Sequence, residues 1–137
     1  MTMIENVVRS FLEGYGQALS TGNLPGIVNC WGLPALVLSD QGARAVIETT
    51  EIEQFFAGAV EWYHAQGVVA TKPGLLEINR LSDRLVFVDT RWSVIDATGE
   101  EKPGEHSNYI LSISDDGQLR IRVAIALAIE QGSAILK

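Results

Sequence analysis

An α+β fold, with helices on one face of a mainly antiparallel sheet, is what the sequence predicts, and three observations predict it. Two early segments repeat apolar residues at helical spacing: Val7, Val8, Phe11, Leu12, Tyr15, Ala18 and Leu19, then Ile52, Phe55, Phe56, Ala59, Val60 and Tyr63. Later the period changes to two, most plainly in Leu119, Ile121, Val123, Ile125, Leu127 and Ile129. Turn residues separate these runs, at Gly22, Gln66-Gly67, Ser82-Asp83, Thr98-Gly99 and Asp115-Asp116-Gly117.

The first helix is expected over about 2–20, since Thr2 and Glu5 have capping-box spacing and Gly22 is a natural stop. Asn23 caps a short second helix with Pro25 in its first turn, ending near Trp31 and Gly32. Two short strands follow near 35–39 and 43–48, around Asp40-Gln41-Gly42. Thr49 or Thr50 then caps the third helix, which ends near Gly67. Long strands are expected over 68–81, where Pro73-Gly74 suggests a bulge or an edge, and over 85–97. The polar stretch 99–105, with Pro103 and Gly104, reads as a loop. Strands over 107–114 and 119–129 flank a hairpin turn at Asp115-Asp116-Gly117. Three helices and two short strands thus precede four long antiparallel strands, which is the α+β class. A curved sheet wrapped round helices leaves a cavity at its open end, a common ligand site.

A chain of 137 residues, 47% apolar and 20% charged, suits one folded domain over 1–137. The net charge of −7, with ten scattered basic residues, argues against nucleic acid and against an anionic membrane surface. Cys30 is the single cysteine, so no internal disulfide forms and a reducing compartment fits. No signal peptide is visible at the N-terminus, and a cytoplasmic protein is the expectation. There is no phosphate loop and no nucleophile elbow. His64 and His106 lack metal-ligand spacing, so neither a metal nor a cofactor is expected; His106 reads as a solvated loop histidine or as an acid–base group at a cavity rim.

The run Tyr15-x-x-Ala-Leu-x-x-Gly-x-Leu-x-Gly-Ile-Val28 resembles the NTF2-like superfamily, the cone-shaped fold of ketosteroid isomerase and the SnoaL-like polyketide cyclases. The resemblance extends over most of the chain and implies one NTF2-like (SnoaL-like) domain: three N-terminal helices on a curved, mixed, mainly antiparallel sheet. It places Tyr15 where ketosteroid isomerase keeps its oxyanion tyrosine. The isomerase's general-base aspartate falls on Ser39, its second oxyanion donor on Tyr109, and the supporting tyrosine on Phe56. With the base lost, steroid isomerisation by that mechanism is not expected.

Two readings of the polar residues stay open. Tyr15 is either a core tyrosine with a satisfied hydroxyl or, with Tyr109, a donor to a ligand carbonyl or carboxylate. Asp89, Arg91 and Ser93 share one strand face with Phe87 and Ile95, while Val88, Thr90, Trp92 and Val94 take the other. The resemblance suggests that the first set faces the cavity, where Asp89 and Arg91 would match the Asp/Arg pairing of limonene epoxide hydrolase; a slip of one residue would make them an outward salt bridge or a dimer contact. Trp31, Ser39, Phe55, Phe56, Trp62 and Trp92 are the expected ligand contacts. The final strand has Leu119 to Ile129 on one face and Arg120, Arg122, Ala124, Ala126 and Ala128 on the other. Non-polar residues on both faces predict cover on both, hence a homodimer through the sheet. The expected function is a non-catalytic module with a pocket for a small apolar molecule, or alternatively a cofactor-independent isomerase, cyclase or hydrolase using Tyr15, Asp89, Arg91 and Tyr109.

Overall fold

The first helix is capped by Thr2 and Glu5. In the computed structural model, which describes residues 2–127, the Thr2 hydroxyl accepts from the Glu5 N–H at 3.2 Å and the Glu5 carboxylate accepts from the Thr2 N–H at 2.8 Å. That capping box opens α1, Met3–Thr21, which stops where Gly22 takes a φ of 70°. The Asn23 side chain accepts from the Gly26 N–H and opens α2, Leu24–Asn29. The cap of α3, Thr49–Ala65, is Glu48 and not a threonine. Glu51, at the third helical position, turns back to accept from the N–H groups of Ile47 and Glu48, both at 2.9 Å, the returning half of a capping box.

The strands are β1 Trp31–Ser39, β2 Gly42–Val46, β3 Val68–Arg80, β4 Leu85–Asp96, β5 Glu101–Ile113 and β6 Leu119–Leu127. They form one six-stranded sheet in the order β2-β1-β6-β5-β4-β3. The β1–β6 pair is parallel and the other pairs are antiparallel. The helices cover one face, called inner below. Val8 and Leu12 of α1, Val86 and Val88 of β4, Leu111 of β5 and Ile121 of β6 are fully buried there. Burial of this apolar set is the main force that holds helices to sheet. Gly16 lets α1 approach closely: a Cβ there would lie 3.1 Å from the Trp92 ring and 3.4 Å from Pro73.

Three register breaks correct the sequence reading. First, β5 begins at Glu101, so 101–105 is strand and not loop. Pro103 pairs with Ser93 and His106 with Arg91, leaving Gly104 and Glu105 opposite Trp92. Pro103-Gly104 therefore marks a bulge within a strand. Second, the pairing of β5 with β6 jumps from Ile110–Val123 to Leu111–Ile121, which makes Arg122 the extra residue. The uniform apolar row is thus split. Leu119 and Ile121 point inward, then Ala124 does, while Val123, Ile125 and Leu127 share the outer face with Ile110, Asn108 and His106. Ala128 and Ile129 lie outside the described residues. Third, β1 starts at Trp31, where a helix end was expected, and its register against β6 shifts between Trp31 and Leu36. The Arg122 guanidinium bridges the gap, donating from Nε to the Pro34 carbonyl at 3.1 Å.

The faces of β4 are also the reverse of the expectation. Val86, Val88, Thr90 and Trp92 are buried inward, so Asp89, Arg91 and Ser93 lie on the outer face. The hydrophobic row decides this: turning Asp89 and Arg91 inward would expose two valines and a tryptophan and bury two charges.

Candidate functional site

A cavity of about 380 Å³ lies between α1, α3 and the inner face of the sheet. Its deep wall is aromatic. Tyr15 comes from α1, Phe55 and Phe56 from α3, Trp31 from β1, Trp92 from β4 and Tyr109 from β5. The rings touch in sequence: Tyr15 meets Phe56 at 6.3 Å and Trp92 at 6.0 Å, both edge-on, and Phe56 meets Phe55 at 4.9 Å and Trp31 at 6.2 Å.

Two indole–phenol pairs are set into that wall. Trp31 Nε1 donates to the Tyr15 oxygen at 3.3 Å, and Trp92 Nε1 donates to the Tyr109 oxygen at 2.9 Å. A phenol that accepts keeps its own O–H for a further acceptor. Burial pushes Tyr109 up to about 12, against the opposing pull of Trp92 and the Ser107 hydroxyl. Burial also raises Tyr15 well above its ordinary value, the nearby Tyr109 raises it further, and Trp31 opposes. Both phenols are therefore neutral donors at neutral pH.

Of the residues expected to act, the structure brings Tyr15, Tyr109, Trp31, Ser39, Phe55, Phe56 and Trp92 to this cavity. Trp62 does not line it; this ring is 43% exposed and packs edge-on against Tyr63 at 5.2 Å. Asp89 and Arg91 are on the opposite side of the sheet. There Asp89 Oδ1 accepts from Asn108 Nδ2 at 2.9 Å and stands 2.7 Å from His106 Nε2, and Arg91 Nη2 is 3.3 Å from His106 Nδ1. His106 is accordingly a half-buried strand residue paired to a carboxylate, neither a solvated loop histidine nor a rim group.

Sequence reasoning missed Glu105 and Ser107, which also line the cavity. The bulge at Gly104 resets the alternation so that Glu105, Ser107 and Tyr109 all point inward from β5. Their spacing of two was the available signal, masked by reading 99–105 as a loop. At the outer part of the cavity, Arg44 Nη2 pairs with Glu51 Oε1 at 3.4 Å, and His64 lies nearby along the lining. No group of three or more potential metal ligands occurs among the described residues. Among the same residues no helix is long and apolar enough to cross a membrane.

Three helices on one face of a six-stranded mixed sheet, enclosing an aromatic cavity, define a protein of the NTF2-like, or cystatin-like, class. The chain belongs to the family described as NTF2-like protein (DUF6841), which matches residues 5–128. No curated protein matches it in sequence. Among solved structures it is similar to an NTF2-like protein of unknown function from Shewanella oneidensis MR-1, with 16% identity, TM-score 0.69 and coverage of 92% of this chain and 100% of that one. It is similar to a ketosteroid isomerase-like protein from Erwinia carotovora atroseptica SCRI1043, with 15% identity, TM-score 0.68 and coverage of 95% and 99%. It is also similar to a protein of unknown function with a cystatin-like fold from Nostoc punctiforme PCC 73102, with 6% identity, TM-score 0.70 and coverage of 99% and 98%. At these identities the likeness is one of fold.

Proposed function

We propose that the cavity binds one small, largely apolar molecule, with the Tyr15 and Tyr109 hydroxyls donating to an oxygen on it, and that the protein acts as a binding module. The observation that carries this reading is the pair of buried phenols, each already accepting an indole N–H, set in an apolar cavity of about 380 Å³. That volume is in the range of small-molecule sites. Calorimetric titration with 2-naphthol tests it. Tyr15→Phe removes one donor of about 0.5–1.5 kcal/mol and should weaken binding about two- to tenfold. Absence of binding to the unaltered protein refutes the proposal.

Glu105 favours a second reading, cofactor-independent turnover as an isomerase, cyclase or hydrolase. It supplies, from β5, a carboxylate of the kind that is missing at Ser39. Deuterium exchange at the methyl group of acetophenone, followed by NMR, tests for proton abstraction. Exchange that Glu105→Gln abolishes supports it, and exchange no faster than in buffer rejects it.

The homodimer remains part of the proposal, on a corrected surface. Leu36, Leu38, Val123, Ile125 and Leu127 form the apolar part of the outer face by register. Two copies packed there would cover what one copy leaves half-exposed. Light scattering at micromolar concentration should give twice the chain mass, and Val123→Asp should halve it; a monomeric unaltered protein contradicts the proposal. A cytoplasmic location fits the free thiol of Cys30.

A further inference from the structure

Four polar side chains stand together on the outer face of the sheet, away from the cavity, with His106 at their centre. His106 Nε2 is 2.7 Å from Asp89 Oδ1 and His106 Nδ1 is 3.3 Å from Arg91 Nη2, while Asn108 Nδ2 donates to the same Asp89 oxygen at 2.9 Å. A guanidinium only donates and a carboxylate only accepts. One form of the imidazole therefore satisfies both neighbours. It is neutral, with its proton on Nε2 donated to Asp89 and a bare Nδ1 accepting from Arg91. A second proton would sit on Nδ1, setting N–H against N–H and cation against cation.

The surroundings decide what that second proton costs. On β3, Glu77 stands opposite Asp89 and Gly74 opposite Arg91. On β6, Leu127 and Ile125 lie beside His106 and Asn108. The helices are on the other face. Asp89 and Glu77 thus favour a charged imidazole, and Arg91 opposes it. In a single copy Arg91 is exposed, so its guanidinium can swing into water and leave the charged ring on Asp89. Beneath a second copy that escape is closed, and two cations would be held together out of water.

The charges of this face suit a second copy. By register Lys72, Arg91 and Arg120 share it with Glu77, Asp89 and Glu101. A chain of net charge −7 thus presents a balanced face, on which a two-fold axis can set acids against bases.

We propose that the outer-face dimer closes only over neutral His106, so that a proton on His106 opens it. The proposal rests on the homodimer described above and adds its regulation. A proton that binds the single copy more readily than the pair must weaken the pair.

Sedimentation equilibrium at pH 8 and pH 5 tests this, because imidazoles change charge across that range. The dimer dissociation constant should rise about tenfold or more at pH 5, since like charges placed together at an interface cost several-fold in affinity or more. His106→Gln should stay equally tight at both pH values: its amide N–H donates to Asp89, its carbonyl accepts from Arg91, and it gains no proton. Arg91→Gln, an exposed change that removes the opposing cation, should also lose the acid weakening. The other histidine, His64, lines the cavity and remains in both variants as the control. A dimer equally tight at both pH values, or a variant of either kind that keeps the weakening, overturns the proposal while the homodimer survives. A monomer at pH 8 overturns both.

Discussion

Gly14 and Gly16 lie two residues apart on α1, yet the same substitution should change stability in opposite directions at the two sites. At Gly14 an added Cβ meets nothing within 4 Å. Alanine there removes the entropic cost of a helical glycine and should stabilise by up to about 1 kcal/mol. At Gly16 the Cβ would stand 3.1 Å from Trp92 Cζ3 and 3.4 Å from both Pro73 Cδ and the Thr71 carbonyl oxygen. Trp92 has little room to yield, because it is 4% exposed and its indole is tied to Tyr109. Overpacking of this kind costs about 1–3 kcal/mol, which outweighs the helical gain of about 1 kcal/mol. Gly16→Ala should therefore destabilise by about 1 kcal/mol, and the two variants should differ by about 2 kcal/mol. Urea denaturation followed by circular dichroism measures both, with unchanged m-values as the check that only stability moved. If Gly16→Ala is as stable as Gly14→Ala, then α1 does not press on Trp92 as described, and the inner wall of the cavity is looser than its geometry states.

Other predictions follow from the same residues. Burial raises Tyr15 and Tyr109, so the folded chain retains phenol protons that the unfolded chain releases. Their contribution is complete below the unfolded value of about 10 and is lost as pH rises through the folded value, at about 1.4 kcal/mol per pH unit per tyrosine. Denaturation midpoints should fall between about pH 10 and the Tyr109 value of about 12; Tyr109→Phe should flatten that fall, and an identical slope in the variant contradicts the burial of its hydroxyl. Asp89→Asn alters only the outer face, so affinity for 2-naphthol should stay within about twofold of the unaltered protein, since surface changes away from a site shift energies by about 0.5 kcal/mol or less; a large loss would return Asp89 to the cavity. Thr2→Ala removes one half of the capping box and should cost about 1 kcal/mol of stability, readable in the same urea titration.

The helices were legible because their signals are local. Thr2–Glu5, Gly22 and the Val8–Leu12–Tyr15 stripe act within one or two turns, and each did in the structure what its spacing required. Tyr15, Trp31, Phe55, Phe56, Trp92 and Tyr109 were legible as a cavity wall because large aromatic rings in a fold of this class have little else to pack against. What escaped was decided between strands. A bulge adds one residue and turns every later side chain to the other face, and nothing in Arg122 or Gly104 alone announces it. The Arg122 bulge split the apolar row of β6, and the Gly104 bulge hid Glu105 in a supposed loop. Asp89 and Arg91 were misplaced for a related reason, since a register carried over from a relative through loops of different length was off by one residue. The rule that the most apolar row faces the core would have chosen Val86, Val88 and Trp92 correctly.

The central claim is that the aromatic wall of the cavity receives a ligand, and the three tryptophans test it in one measurement. Trp31 and Trp92 donate their indole N–H groups to the two cavity phenols, while Trp62 is exposed outside the cavity. In a proton–nitrogen NMR titration with 2-naphthol, the indole signals of Trp31 and Trp92 should move together and saturate, and that of Trp62 should stay in place. Movement of Trp62 alone, or three unmoved signals at millimolar 2-naphthol, would contradict the account.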